Sequence, residues 1–201
     1  MSNLFVESGK KNKNFSVYIV GVGGQGIGML SEILIRAVDY SGQNAIGVDT
    51  HGLAQRGGIV SSHLKIGDVN SPLVLQGDVD LVLALERHEA MRGLSFLKES
   101  GTLVYYDTSW QPLPVRLSKE KEIQNQEIEK AAKDFNVKVY KVKHDLPDIR
   151  MQNIAVLATV AKYNLIPKVK VDDYLKAMDD LMNEKLYSIN ASIFLKIVNE
   201  E

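Results

Sequence analysis

Five glycines, Gly21, Gly23, Gly24, Gly26 and Gly28, follow the apolar run Val17-Tyr18-Ile19-Val20 and precede a helical pattern. Gly21, Gly23 and Gly26 satisfy the spacing G-x-G-x-x-G in its required context of strand, turn and helix. Glycine lacks a Cβ, so the chain can reverse sharply and a ligand can approach the backbone. The first N–H groups of the following helix have no partner inside it, and they share that end with the positive pole of the helix dipole. A phosphate or pyrophosphate suits such a place. Gly23, Gly24, Gln25 and Gly26 are the candidate contacts, with the Gln25 amide as an added donor. The competing reading is that the glycines only let helix and strand approach closely. The motif by itself does not name a ligand.

A second polar, glycine-rich stretch, Thr50 to Gly58, carries Arg56. A guanidinium there can hold a phosphate or a carboxylate through two parallel hydrogen bonds, or serve an ion pair within the domain or at an interface. Asp49 stands where a dinucleotide-binding domain holds the adenosine ribose, and is equally a partner for Arg56. His51 and Gln55 can line the same cleft, but as lone polar loop residues they read first as structural. Glu86 directly follows an apolar strand, where it can face a ligand or cap the next helix. Ser61 and Ser62 lack any base-orienting triad pattern, and Gly-x-Ser-x-Gly is absent, so neither is a nucleophile. His63 reads as a packed strand residue, and Trp110 as a side chain buried at a subunit boundary.

The elements that position these residues follow from apolar periodicity. A strand is expected over 16–22 and a helix over 25–41, ended by Gly42. Strands follow at 45–49 and from 59 to 67. So long a strand straight after its predecessor leaves little room for a crossover helix, which predicts at least one antiparallel pairing. Further elements are a strand at 80–85, a helix at 87–98 and a strand at 102–107. Then come a proline-broken segment at 109–117, a helix at 121–135 with Ile128, Ala131, Ala132 and Phe135 inward, and a lysine-bearing edge strand at 137–142. Three helices close the chain, at 151–163, 171–183 and 184–201. The expected fold is a three-layer α/β/α Rossmann-like domain with a mixed, mainly parallel sheet and a helical C-terminal third.

The totals restrict the function classes. The chain has 201 residues, enough for one domain burying about 70% of its unfolded surface. Residues 1–14 are expected to form a disordered polar leader and 15–201 a single domain. The formal charge of -1 gives no basic excess for nucleic acid. No run is long and apolar enough for a membrane span, and no signal-peptide pattern opens the chain, so the expected location is the cytoplasm. With no cysteine, the chain has no disulfide, no thiolate nucleophile and no cysteine ligand for an iron–sulfur cluster. The four histidines show no metal-ligand spacing, so no metal site is expected.

Two segments taken together carry a resemblance. Gly21-Val22-Gly23-Gly24-Gln25-Gly26, joined with Gln55-Arg56-Gly57-Gly58, Ser61, Ser62, His63 and Ile66-Gly67, resemble the γ-type subunit of the 2-oxoacid:ferredoxin oxidoreductases. Within that family the phrase THGLAQRGGIVSSHLKIG is most similar to the small (β) subunits of the indolepyruvate branch. The resemblance extends over about 15–200.

It implies an enzyme that oxidatively decarboxylates a 2-oxoacid to an acyl-CoA and passes electrons to ferredoxin. Thiamine diphosphate with Mg and the iron–sulfur clusters would lie on larger partner subunits. This chain, inactive alone and free of catalytic residues of its own, would help form the coenzyme A site and the subunit interface. By this analogy Gly23, Gly24, Gln25, Gly26 and Arg56 contact the coenzyme. Apart from the analogy, a dimer is the expected form of the isolated chain. Two other readings stay open: a stand-alone NAD(P)- or FAD-binding oxidoreductase, and a regulatory nucleotide-binding module.

Overall fold

In a computed structural model of the chain, the structure describes residues 14–51, 58–110 and 121–200. Its centre is β1 (Phe15–Val22), whose interior is buried on both faces as its unbroken apolar run dictates. The chain then forms α1 (Ile27–Tyr40), β2 (Ala45–His51), β3 (Ile59–Ile66), β4 (Val79–Ala84) and α2 (Arg87–Gly93). After these come β5 (Leu97–Tyr106), α3 (Asn125–Asp134), β6 (Lys138–Val142), α4 (Gln152–Lys162), α5 (Val171–Leu181) and α6 (Glu184–Asn199).

The six strands make one sheet in the order β2-β3-β1-β4-β5-β6. β3 runs antiparallel to both its neighbours, and the remaining pairings are parallel. The expected antiparallel pairing is therefore present. On one face, α1, α4, α5 and α6 cover Val17, Ile19, Leu64, Leu81 and Leu83. On the other, α2 and α3 cover Tyr18, Val20, Val82 and Leu103.

Two expectations about the middle of the chain are corrected. The helix proposed for 87–98 ends at Gly93; residues 94–96 form a 3-10 turn and β5 begins at Leu97. Leu97 pairs with Val79, and a register shift before Leu81 absorbs the extra residues around Ser100, whose φ is 62°. Phe135 was expected to face inward, but it is 54% exposed while Ile128 and Ala132 are buried. The helix stops at Asp134 and the chain reverses through Asn136 at φ 53°, which takes Phe135 off the buried stripe. Leu186 and Ile189 of the last helix are also exposed, and its burial runs through Ala191, Phe194 and Ile197.

Candidate functional site

From β1 the chain moves to β2 and β3 on one side, while β4, β5 and β6 lie on the other. The boundary between β1 and β4 is the switch point of the sheet, where open α/β sheets place their ligands at the carboxyl ends of the strands. The glycine turn sits there. Gly24 has φ 104° and Gly26 has φ 80°, conformations that a side chain rarely adopts. Gly24 is exposed, and a Cβ added to it would meet nothing within 4 Å.

The turn's hydrogen bonds divide its candidate donors. Gly23 N–H donates to the Gly58 carbonyl at 2.9 Å, and Gln25 N–H to the Val22 carbonyl at 3.1 Å. Among the described residues, no acceptor takes the N–H groups of Gly24, Gly26, Ile27 or Gly28. α1 has no side-chain cap and no acidic residue in its first turn. The Asp49 carboxylate arrives instead from β2, with Oδ2 3.6 Å from the position of a Cβ on Gly28. It brings negative charge to a helix start that has none of its own. Among the described residues, the unobstructed approach is over Gly24.

The reading of Gln25 as an added ligand donor is corrected. Its side chain is 2% exposed and folds back into the loop. Oε1 accepts from Val22 N–H at 2.7 Å, and Nε2 donates to the Leu85 carbonyl at 3.1 Å. Gln25 thus ties the turn to the end of β4. Gly21 leaves room for this, since a Cβ there would lie 2.7 Å from Gln25 Oε1.

Asn153, which sequence reasoning had not singled out as a site residue, holds the other side of the turn. Its Nδ2 donates to the Gly26 carbonyl at 3.3 Å, while its Oδ1 accepts from Ile154 N–H. The available signal was a polar pair, Gln152-Asn153, opening an otherwise apolar helix. A Cβ on Gly26 would lie 2.6 Å from Asn153 Nδ2. Gly26→Ala therefore combines a left-handed backbone penalty with displacement of Asn153, an expected loss of about 2 kcal/mol. Chemical denaturation of the isolated chain measures it; an unchanged midpoint would reject this account of the turn.

The other candidates are placed as follows. Glu86 is fully buried and caps α2 by accepting from Glu89 N–H. Glu89 is 1% exposed and pairs with Arg92. Burial, partly countered by Arg92 and reinforced by Glu86, raises the Glu89 carboxyl to about 7. His63 accepts from Val74 N–H through Nδ1 at 3.2 Å and meets the Tyr18 ring edge-on, and burial lowers its pKa. Ser62 bonds Ser31 at 2.7 Å and Ser61 bonds Thr50 at 2.6 Å, so both are structural. Trp110, expected to be buried at a subunit boundary, is 48% exposed in the single chain. Gln55 and Arg56, with the His51 side chain, lie outside the described residues. No three His, Asp or Glu side chains gather as metal ligands among the described residues. No described helix is long and apolar enough to cross a membrane.

The class these observations define is a Rossmann-like α/β domain with a mixed sheet and a glycine turn at its switch point. The chain belongs to the pyruvate ferredoxin/flavodoxin oxidoreductase family, which it matches over residues 16–200. It is 46% identical over 93 residues to indolepyruvate oxidoreductase subunit IorB of Archaeoglobus fulgidus, a match covering 46% of each chain. The corresponding subunit of Methanothermobacter thermautotrophicus is 41% identical over 91 residues, covering 45% of this chain and 46% of the relative. The chain thus spans about half the length of the curated relatives it matches.

Two solved structures share the fold. Pyruvate oxidoreductase subunit PORC from Thermotoga maritima has a TM-score of 0.64 at 20% identity, covering 94% of this chain and 97% of that one. The 2-oxoglutarate:ferredoxin oxidoreductase from Magnetococcus marinus, with 2-oxoglutarate, coenzyme A and succinyl-CoA bound, also has a TM-score of 0.64. Its identity is 18%, and the match covers 92% of this chain and 30% of that one.

Proposed function

We propose that this chain is the small subunit of a 2-oxoacid:ferredoxin oxidoreductase of the indolepyruvate type, and that its glycine turn receives a phosphate of coenzyme A. The observation that carries the reading is the family match over 16–200 on a chain whose switch-point turn, among the described residues, keeps unpaired N–H groups beneath an open Gly24. Thiamine diphosphate with Mg and the iron–sulfur clusters belong to the larger partner subunits, where they supply decarboxylation and electron transfer to ferredoxin. This chain's part is to bind and orient. The Gly24, Gly26 and Ile27 amides hold a phosphate oxygen at the positive end of α1, and Arg56 adds a second, cationic contact. Gln25 and Asn153 hold the turn in shape from beneath.

The NAD(P) or FAD reading is disfavoured by one specific observation. β3 stands between β1 and β2, so the strand bearing Asp49 is not adjacent to the glycine-turn strand as it is in a dinucleotide-binding unit. Calorimetric titration with NADH or FAD is expected to show no micromolar binding.

Reconstitution with the large subunit, assayed on several 2-oxoacids with coenzyme A and ferredoxin, tests the proposal directly. Indolepyruvate should turn over only with both chains present; full activity of the large subunit alone would overturn the reading. In the reconstituted enzyme Gly24→Asp puts a carboxylate against the phosphate and should raise KM for coenzyme A about tenfold or more. Gly24→Ala carries the same backbone strain without the charge, and should raise it far less. Equal effects would reject the phosphate contact.

A further inference from the structure

The two edges of this sheet are treated differently. At one edge β6 carries exposed Lys138 and Lys141, the usual guard against unwanted strand pairing. At the other, β2 reads AIGVDTH, with no lysine, arginine or proline over seven residues. Among the described residues no strand pairs with its outer side. Ile46 and Val48, 37% and 36% exposed, stand on one face of it. Its one charge, Asp49, is turned to the α1 face beside Gly28. An open row of main-chain donors and acceptors without such a guard is a template for another strand.

The surroundings specify that strand's chemistry. Between the start of β2 and the second half of α1 lies a groove of about 760 Å³, lined by Glu32, Ile35, Arg36, Asp39, Asp68 and Leu181 among others. Arg36 faces Asp180 at 3.7 Å, so the one cation lining the groove among the described residues is already opposed. Glu32, Asp39 and Asp68, with Asp49 farther along the same face, leave the α1 side of the edge acidic, while Lys65, paired with Ile46, lies on the other side. A second copy of the chain would set these carboxylates against their own equivalents, which disfavours self-pairing.

We infer that β2 is an assembly edge: an extended segment of the large subunit, with lysine or arginine at alternate positions, adds to it as a seventh strand. This rests on the proposed function for the identity of the partner. The edge lies across the sheet from β6, and its groove lies at the opposite end from the glycine turn. Assembly at that groove therefore lies away from the described residues of the turn.

Hydrogen exchange and sedimentation on the full chain, with and without the large subunit, test this. In the complex, β2 amides should exchange at least about tenfold more slowly. Val48→Lys, which installs the guard that β2 lacks, should weaken assembly about tenfold while leaving the variant's own thermal midpoint unchanged. The double variant Glu32→Gln/Asp39→Asn should weaken assembly and flatten its salt dependence. Wild-type chain that fails to assemble at all refutes the proposed function rather than the edge. Assembly that Val48→Lys does not affect, with β2 unprotected, overturns the inference. Protection that grows with the chain's own concentration, or that disappears on deleting residues 1–13, also overturns it by naming a different occupant.

Discussion

Replacing Gln25 with alanine should lower the stability of the isolated chain by about 2–4 kcal/mol, with no ligand or partner present. The substitution removes the acceptor for Val22 N–H and the donor to the Leu85 carbonyl, bonds of 2.7 and 3.1 Å. Two main-chain groups at the junction of β1 and β4 would then lose their partners. Water cannot readily replace them, because the Gln25 side chain is 2% exposed and the Leu85 side chain beside it is fully buried. Gln25→Met keeps much of the volume but neither hydrogen bond, and should lose nearly as much. Urea unfolding measures both. A Gln25→Ala chain as stable as the wild type, with only ligand affinity reduced, would restore Gln25 to the role of a direct contact.

Glu89 gives a comparably large effect that depends on pH. Its folded-state carboxyl titrates at about 7 against an ordinary 4.5, chiefly because burial penalises the charge. The folded state therefore binds this proton more tightly than the unfolded state does. The resulting stabilisation is fully present below about pH 4.5 and is lost as pH rises to about 7, at up to ~1.4 kcal/mol per pH unit. Summed over that window the loss is about 3 kcal/mol. Glu89→Gln keeps an uncharged side chain of the same shape at every pH. The difference in stability between variant and wild type should therefore grow in favour of the variant from pH 4.5 to 7 and then level off. Thermal melts across that range measure the difference; one independent of pH would show that Glu89 ionises freely in the folded chain.

Much of the architecture could be read from residue order because it is encoded locally. The double-sided burial of β1, the glycine cap after α1 and the lysines of β6 are each visible within a few residues. The antiparallel pairing of β3 was legible for a different reason, since the short link after β2 excludes a crossover helix. The boundary of α2 was not legible. Leu94 and Leu97 fit a helical stripe, and only the pairing of Leu97 with Val79 pulls the segment into β5.

The candidate site was legible as a backbone feature but not in its side chains. Glycine spacing located the turn, and Gly24 and Gly26 adopt the positive φ values that glycine permits. Gln25 is the instructive failure. A polar residue among loop glycines looks available to a ligand, yet its direction is decided by Val22 and Leu85. The second of these lies 60 residues away in sequence. Asn153 was missed on the same ground, because its contact with Gly26 spans 127 residues.

The reversed course of β3 affects how recognition can diversify. His51 closes β2 and Ile59 opens β3 at the end of the sheet where the glycine turn sits, and Gly58 is hydrogen-bonded to Gly23. The described chain on either side of positions 52–57 is therefore fixed beside the crevice. Insertions, deletions or exchanges between those positions need not shift the register of β2 or β3 against its neighbours. Residue changes can thus accumulate between those two fixed ends while the pairing of β1, β2 and β3 beneath them stays the same.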